Sequence, residues 1–231
     1  MIKILETPIR KLLITFAKFM SHQSISQQAK QGGSSAQCQL GDSYLYGKGV
    51  TKDYKKAFVW YQKSALQGNA FGQNSLGWMY EQGRGVTKNL AEAFKWYELA
   101  AKLEMPSAQY NVGCFYTKGW GIKQNYNEAF FWYRRVAEHG HINAQYALGC
   151  LYSKGQGIEQ DHKEAFRWYL KAAEQGNVQS QGLLGTLYKD GLGVIQDFKN
   201  AMYWYRKAAE QGDVTAQGNL KFMHDKGLAA T

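Results

Sequence analysis

The chain has 231 residues, 45% of them hydrophobic and 15% aromatic, with 28 Lys and Arg against 18 Asp and Glu for a formal net charge of +10. That apolar fraction excludes a disordered polyelectrolyte and fits a globular chain that buries a continuous core. Only two prolines occur, which suits a helical protein, and no stretch approaches the roughly 20 consecutive apolar residues of a membrane-spanning helix.

At the N-terminus, Ile9, Leu12, Leu13, Phe16, Phe19 and Met20 fall on helical spacing, with Thr7 as N-cap and Pro8 as the first helical residue. This reads as an amphipathic capping helix. The competing reading is a signal peptide with residues 1–11 as the basic region and 12–20 as the apolar run. Lys18 interrupts that run, Glu6 dilutes the basic region, and no clear A-x-A site follows. Beyond it, Ile25, Ala29 and Gly32 align one period before Tyr61, Ala65 and Gly68, so residues 17–32 read as a degenerate second helix. Residues 1–34 are assigned to this cap and half repeat.

From residue 35 the chain repeats itself. Leu40, Leu76, Val112, Leu148 and Leu184 are each 36 residues apart with no insertion between them. Such a period belongs to helix-pair solenoids, in which one hairpin cannot bury its apolar face alone and stacks on its neighbours. Residues 35–215 are therefore five repeats in one elongated domain. The first helix of each is marked by a stripe such as Ala36, Leu40, Ser43 and Tyr44. Glycine pairs from Gly47/Gly49 to Gly191/Gly193 end it. Asp53, Asn89, Asn125, Asp161 and Asp197 stand as N-caps of the second helix, with Glu92, Glu128 and Glu164 three residues on as capping-box partners.

Each second helix carries a small alanine (Ala57 to Ala201) and then a Trp-Tyr pair, Trp60/Tyr61 to Trp204/Tyr205, read as core. Truncating such a core tryptophan typically removes about 3 to 5 kcal/mol. Gly68, Gly140, Gly176 and Gly212 close four of these helices, while "KLEMPSA" replaces that turn once, with Pro106 as a first helical residue. A further glycine row, Gly41, Gly77, Gly113, Gly149 and Gly185, lies inside the first helices, where each costs roughly 1 kcal/mol relative to alanine; close approach of a neighbouring helix explains it. Residues 216–231 read as a C-terminal cap in which Lys221 and His224 replace the glycine and tyrosine.

The pattern A-Q-x-x-L-G-x-x-Y-x-x-G-x-G-V, an Asp or Asn cap, and A-F-x-W-Y-x-x-A-A-x-x-G resembles the Sel1-like repeat family, a relative of the tetratricopeptide repeats. The resemblance covers about residues 35 to 227. It implies an all-α, right-handed α/α superhelical solenoid that acts as an adaptor for protein complexes, in eukaryotic quality control and in bacterial signalling or host interaction. Cysteine-rich members place two cysteines in each repeat; Cys38, Cys114 and Cys150 lack that arrangement and read as free thiols of a reducing, cytoplasmic compartment. A signal peptide would instead make the protein periplasmic or secreted. Cys114 and Cys150 share one repeat position, so a contact between them stays open.

No catalytic constellation emerges. His22, His139, His141, His162 and His224 form no H-E-x-x-H, cysteine–histidine set or triad, and His139 and His141 read as cap residues rather than ligands. Each G-x-G follows a helix and lacks the phosphate-loop lysine. No enzyme, cofactor or metal is expected.

Function then rests on surfaces. By i, i+4, i+8 spacing, residues 38, 42 and 46 and their equivalents lie off the buried stripe of the first helices, the side that the resemblance places in the concave face. Asp42, Tyr46, Trp78, Gln82, Tyr110, Lys118, Tyr146 and Lys154 are the candidate partner-binding residues, with Trp78, Tyr110 and Tyr146 followed by Lys118 and Lys154 suited to an extended acidic–aliphatic peptide; the alternative reading of the row is packing between repeats. Arg134, Arg135, Arg167, Lys171, Arg206 and Lys207 form a basic convex stripe. It reads as a solvated face, or as a site for nucleic acid or another polyanion. The variable row lacks a consistent base-reading pair, which weakens the nucleic-acid reading.

Overall fold

The computed structural model describes residues 22–228. All regular elements among the described residues are helices: α1 (22–30), α2 (Ser34–Tyr46), α3 (Tyr54–Leu66), α4 (Ala70–Gln82), α5 (Leu90–Lys102), α6 (Pro106–Lys118), α7 (Tyr126–Ala137), α8 (Ile142–Lys154), α9 (His162–Glu174), α10 (Val178–Asp190), α11 (Phe198–Glu210) and α12 (Val214–Asp225). The protein is an all-α solenoid of helix pairs. Residues 22–108 with 120–122 form one compact unit, and residues 109–119 with 123–228 a second. The capping helix or signal peptide expected over residues 1–20 lies outside the described residues. Helix α1 falls within residues 17–32, of which 17–21 lie outside the described residues, and Ala29 is buried near its C-terminal end.

What closes each hairpin is a ring laid on a bare backbone. Tyr61, Tyr97, Tyr133, Tyr169 and Tyr205 are 0–3% exposed. A Cβ added at Gly41, Gly77, Gly113, Gly149 or Gly185 would lie 2.5 to 2.9 Å from the matching ring. The glycines inside the first helices are thus contact surfaces, and the helix propensity they forfeit is offset by burial of a tyrosine. Each phenol also finds a partner on the first helix: Tyr61 donates to Asp42 Oδ1 at 2.6 Å and Tyr97 to Glu81 Oε2 at 2.6 Å. Tyr133 pairs with Thr117 at 3.1 Å, Tyr169 donates to Cys150 Sγ at 3.5 Å, and Tyr205 pairs with Thr186 at 3.0 Å. Burial is the main cause that pushes the phenols of Tyr61, Tyr133 and Tyr169 well above their ordinary pKa and raises that of Tyr205.

The adjacent tryptophans are shallower than the sequence reading allows. Trp168 is 8% exposed, while Trp60, Trp96, Trp132 and Trp204 are half-buried. Neighbouring helical positions point about 100° apart, so when tyrosine faces the partner helix the tryptophan falls at the rim. There Lys63 lies 4.5 Å from the Trp60 ring and Lys171 4.2 Å from that of Trp168. The large truncation penalty anticipated for every tryptophan therefore belongs to the tyrosines and to Trp168, which packs in a core cluster.

All five second-helix N-caps form, with Asp53, Asn89, Asn125, Asp161 and Asp197 accepting from backbone N–H groups two or three residues on. The reciprocal half of the capping box is corrected. The cap residues' own N–H groups donate to the carbonyls of Tyr44, Tyr80, Tyr116, Tyr152 and Tyr188 at 2.9 to 3.0 Å, which leaves nothing for a glutamate to accept. Glu92 and Glu164 instead pair with Lys95 and Arg167. First-helix caps that were not anticipated are Asn69, Asn177 and Asp213, whereas His141 was read as a cap residue and caps α8.

A buried glutamine ladder joins successive helices. Gln37 donates to the Ala29 carbonyl at 3.2 Å and accepts from Gln67 at 2.7 Å. In the second unit Gln145 joins the Ala137 carbonyl to Gln175, and Gln181 joins the Ala173 carbonyl to Gln211. The rung at Gln73 is incomplete. It donates to the Ala65 carbonyl, but Leu103 stands where Gln67, Gln175 and Gln211 stand elsewhere, and Gln73 Oε1 has no partner among the described residues. The next residue, Glu104, adopts φ 61 where other repeats use glycine, a conformation that costs a non-glycine residue about 1 kcal/mol or more.

These contacts predict three outcomes. Gly149→Ala should lower stability by about 1 to 3 kcal/mol through overpacking against Tyr169, whereas Gly218→Ala, with open space at its Cβ, should raise it by about 0.5 to 1 kcal/mol; urea midpoints measure both. Leu103→Gln should gain about 1 kcal/mol by supplying the missing donor to Gln73. The third concerns His141, whose Nδ1 accepts from Ala144 N–H at 3.3 Å and whose pKa burial holds below the ordinary histidine value. A lowered folded-state pKa means that the unfolded chain binds the proton more readily, so this contribution is present above about pH 6.5 and is lost as pH falls. Melting temperature measured from pH 7.5 to 5 should fall less in His141→Asn, which keeps a cap without a titrating ring.

Candidate partner-binding surfaces

The first-helix row does not face solvent along its whole length. In the first unit Cys38 is buried, contrary to its expected place in an open row, because it packs in the cluster that holds Leu45, Ala57, Tyr61 and Met79. Burial, followed by the nearby Asp42 charge, pushes its thiol up to about 12. Asp42 is half-buried and engaged by the Tyr61 hydroxyl. Trp78 is half-buried against the same cluster, while Tyr46 is 64% exposed and Gln82 is exposed.

In the second unit, Tyr110 and Tyr146 are half-buried and lean on the hairpin tyrosines, with ring centroids 5.7 Å from Tyr133 and 6.2 Å from Tyr169. Tyr110 also stacks on His141 at 4.9 Å. Both phenols are raised, mainly by burial and then by the cysteine one turn on. Lys118 and Lys154 are exposed at the end of their helices. A simple rule emerges in physical terms. The middle position of the row tends to serve the buried tyrosine, as Asp42, Cys150 and Thr186 do, whereas the last position is open in every repeat: Tyr46, Gln82, Lys118, Lys154 and Asp190.

The basic residues of the outer stripe lie on α7, α9 and α11. Arg134 pairs with Glu138 at 2.8 Å, which raises its pKa, and Arg167 pairs with Glu164. Lys171 lies over Trp168, and Lys207 lies 5.6 Å from the Tyr203 ring. Arg206 is exposed and Arg135 half-buried. Much of the stripe is thereby occupied by its own helices, and pairs of this exposed kind are worth little to stability.

The histidines flanking Gly140 serve backbone groups: His141 caps α8, and His139 Nδ1 lies 2.8 Å from the Arg135 carbonyl. Cys38, Cys114 and Cys150 form no disulfide. Among the described residues no group of three or more His, Cys, Asp or Glu could hold a metal, and no helix is long and apolar enough to cross a membrane.

Comparison with known proteins agrees with this architecture. The Sel1 repeat family matches residues 34–69, 70–105, 106–141, 142–177 and 178–213. A protective antigen of uropathogenic Escherichia coli with an SLR fold superposes with a TM-score of 0.85 at 38% identity over 89% of this chain, which spans 44% of that protein's chain. A Sel1 repeat protein from Oxalobacter formigenes gives 0.82 at 34% identity, covering 95% of this chain and 90% of the other. A Sel1 repeat protein from Klebsiella pneumoniae shares the fold at 19% identity and a TM-score of 0.55, over 88% of this chain and 99% of its own. No curated protein matches. Sel1 repeat proteins generally mediate protein–protein interaction and are generally non-enzymatic scaffolds. With five contiguous matches over most of its length and a tyrosine-on-glycine hairpin in each, this chain belongs to the Sel1 repeat family.

Proposed function

We propose that the protein is a non-catalytic scaffold that holds a partner protein through the open positions of its first helices. One observation carries this reading: the position occupied by Tyr46, Gln82, Lys118, Lys154 and Asp190 is exposed in all five repeats and differs in chemistry among them, while the glycine and tyrosine beneath it repeat without change. A fixed scaffold with a variable exposed row is what a surface specialised for one partner requires. In the second unit Lys118 and Lys154 each stand about two turns beyond Tyr110 and Tyr146, so cationic donors share a helix face with partly exposed aromatic rings. Such a surface suits a peptide segment with acidic and apolar side chains. Asp42, Tyr46, Trp78 and Gln82 offer a different, uncharged-to-acidic surface in the first unit.

Tyr110 and Tyr146 support the hairpin tyrosines, so the discriminating variant alters the lysines. Proteins captured by the wild type from a lysate of the source organism, and quantified by mass spectrometry, should drop about tenfold with Lys118→Glu/Lys154→Glu and persist with Arg206→Glu/Lys207→Glu. The reverse pattern, especially with co-purifying nucleic acid, would assign binding to the outer stripe instead.

A further inference from the structure

The loop between the two helices of each repeat has a position that changes character along the chain. In the second unit it is Gln124, Gln160 and Gln196, whose Nε2 atoms donate to the carbonyls of Thr117, Ser153 and Lys189 at 2.7, 2.7 and 2.8 Å. That bond ties the loop to the last turn of the first helix. In the first unit the same position holds Lys52 and Lys88, and the described hydrogen bonds include no equivalent tie there. The residue between the loop glycines changes in parallel, from Lys48 and Arg84 to Trp120, Gln156 and Leu192. The first two repeats thus give up a structural hydrogen bond twice and acquire cations.

Two of these cations crowd one ring, and none of the four pairs with a carboxylate among the described residues. Lys52 Nζ lies 4.8 Å and Arg84 Cζ 5.0 Å from the centroid of the same ring, that of Tyr54. Contact with Lys52 first, and the Arg84 charge after it, hold this phenol below its ordinary pKa. The second loop glycine keeps the two loops together, since a Cβ at Gly85 would meet the Tyr54 carbonyl oxygen at 2.2 Å. Lys55 is exposed in the first turn of α3. The carboxylates of this unit are otherwise engaged: Asp53 caps α3 and pairs with Lys56, Asp42 and Glu81 accept from tyrosines, and Glu92 pairs with Lys95. Lys48, Lys52, Lys55, Arg84 and Lys88 have no carboxylate partner among the described residues.

We propose that this loop edge, Lys52 and Arg84 at Tyr54 with Lys48, Lys55 and Lys88 on the same loops and first turn, docks a short acidic segment of a partner protein; it adjoins the first-helix row at Tyr46, over whose ring Lys48 lies at 5.1 Å. A protein segment fits better than nucleic acid because the array is brief. It ends at Trp120 and Gln124, whereas phosphate-driven binding gains strength from many neutralised phosphates along a continuous track. The aromatic ring between two cations also offers apolar contact to the stems of glutamate side chains.

The test uses variants that return the loop to its form in the second unit. Fluorescein-labelled decaglutamate should bind the wild type with an affinity that falls as salt rises. Lys52→Gln/Lys88→Gln should bind it about tenfold more weakly while melting at the same or a higher temperature, because glutamine restores the loop tie. The charge-matched Lys163→Gln/Lys199→Gln should bind as the wild type does. Absence of binding by the wild type, equal weakening in both variants, undiminished binding by the first variant, or tighter binding of a labelled thymidine decamer at equal salt would each overturn the proposal.

Discussion

The structure depends on one steric fact repeated along the chain: a tyrosine ring from the second helix lies directly on the Cα of a glycine in the first. No other residue leaves room for that ring, because any Cβ at the glycine would sit inside its van der Waals surface. The contact fixes how closely the two helices approach and buries the tyrosine almost completely. It also dictates what the neighbouring positions must do. The phenol needs an acceptor or donor, so the first-helix residue above it is recruited as Asp42, Glu81, Thr117, Cys150 or Thr186. Part of the sequence variation between repeats is therefore five solutions to one buried hydroxyl, and only the outermost row is released for recognition.

A second set of constraints links successive repeats within each unit. The glutamine ladder ties a carbonyl in the last turn of one second helix, which also accepts from the closing glycine's N–H, to the next hairpin, and the second loop glycine lies against the first turn of the preceding second helix, with a Cβ at Gly85 or Gly193 reaching the backbone of Tyr54 or His162 at 2.2 or 2.1 Å. Both are polar or backbone contacts that fix the stacking register, while the apolar seam supplies most of the driving force. Such nearest-neighbour coupling tolerates a local defect. The junction at Leu103 and Glu104 lacks one hydrogen bond and holds a left-handed non-glycine residue, and yet α6 begins at Pro106 as in a regular repeat.

Much of the fold was legible in the sequence because it is written five times. The period, the helix pairs, the glycine terminators and the second-helix caps all follow from residue types in fixed register. What escaped were features that depend on which way a side chain turns. Trp60 and Tyr61 are equally apolar in a pattern, and only the interhelical packing shows that tyrosine goes inward and tryptophan to the rim. The capping box failed because Tyr44 and its equivalents supply a carbonyl from the preceding helix, a partner nine residues away that local motif reading does not consider. The candidate row was read from spacing, which does not show burial: Cys38 is buried, and Asp42 is half-buried and engaged by the Tyr61 hydroxyl. Replacement of Gln124-type residues by Lys52 and Lys88 was visible in the sequence, and its meaning required knowing that glutamine ties the loop.

A double-mutant cycle at Gly149 and Tyr169 tests the central contact most directly. If the glycine exists to admit the ring, the destabilisation caused by alanine at position 149 disappears in a Tyr169→Leu background, where higher helix propensity makes alanine neutral or favourable. An equal penalty for alanine with either residue at position 169 would contradict the account.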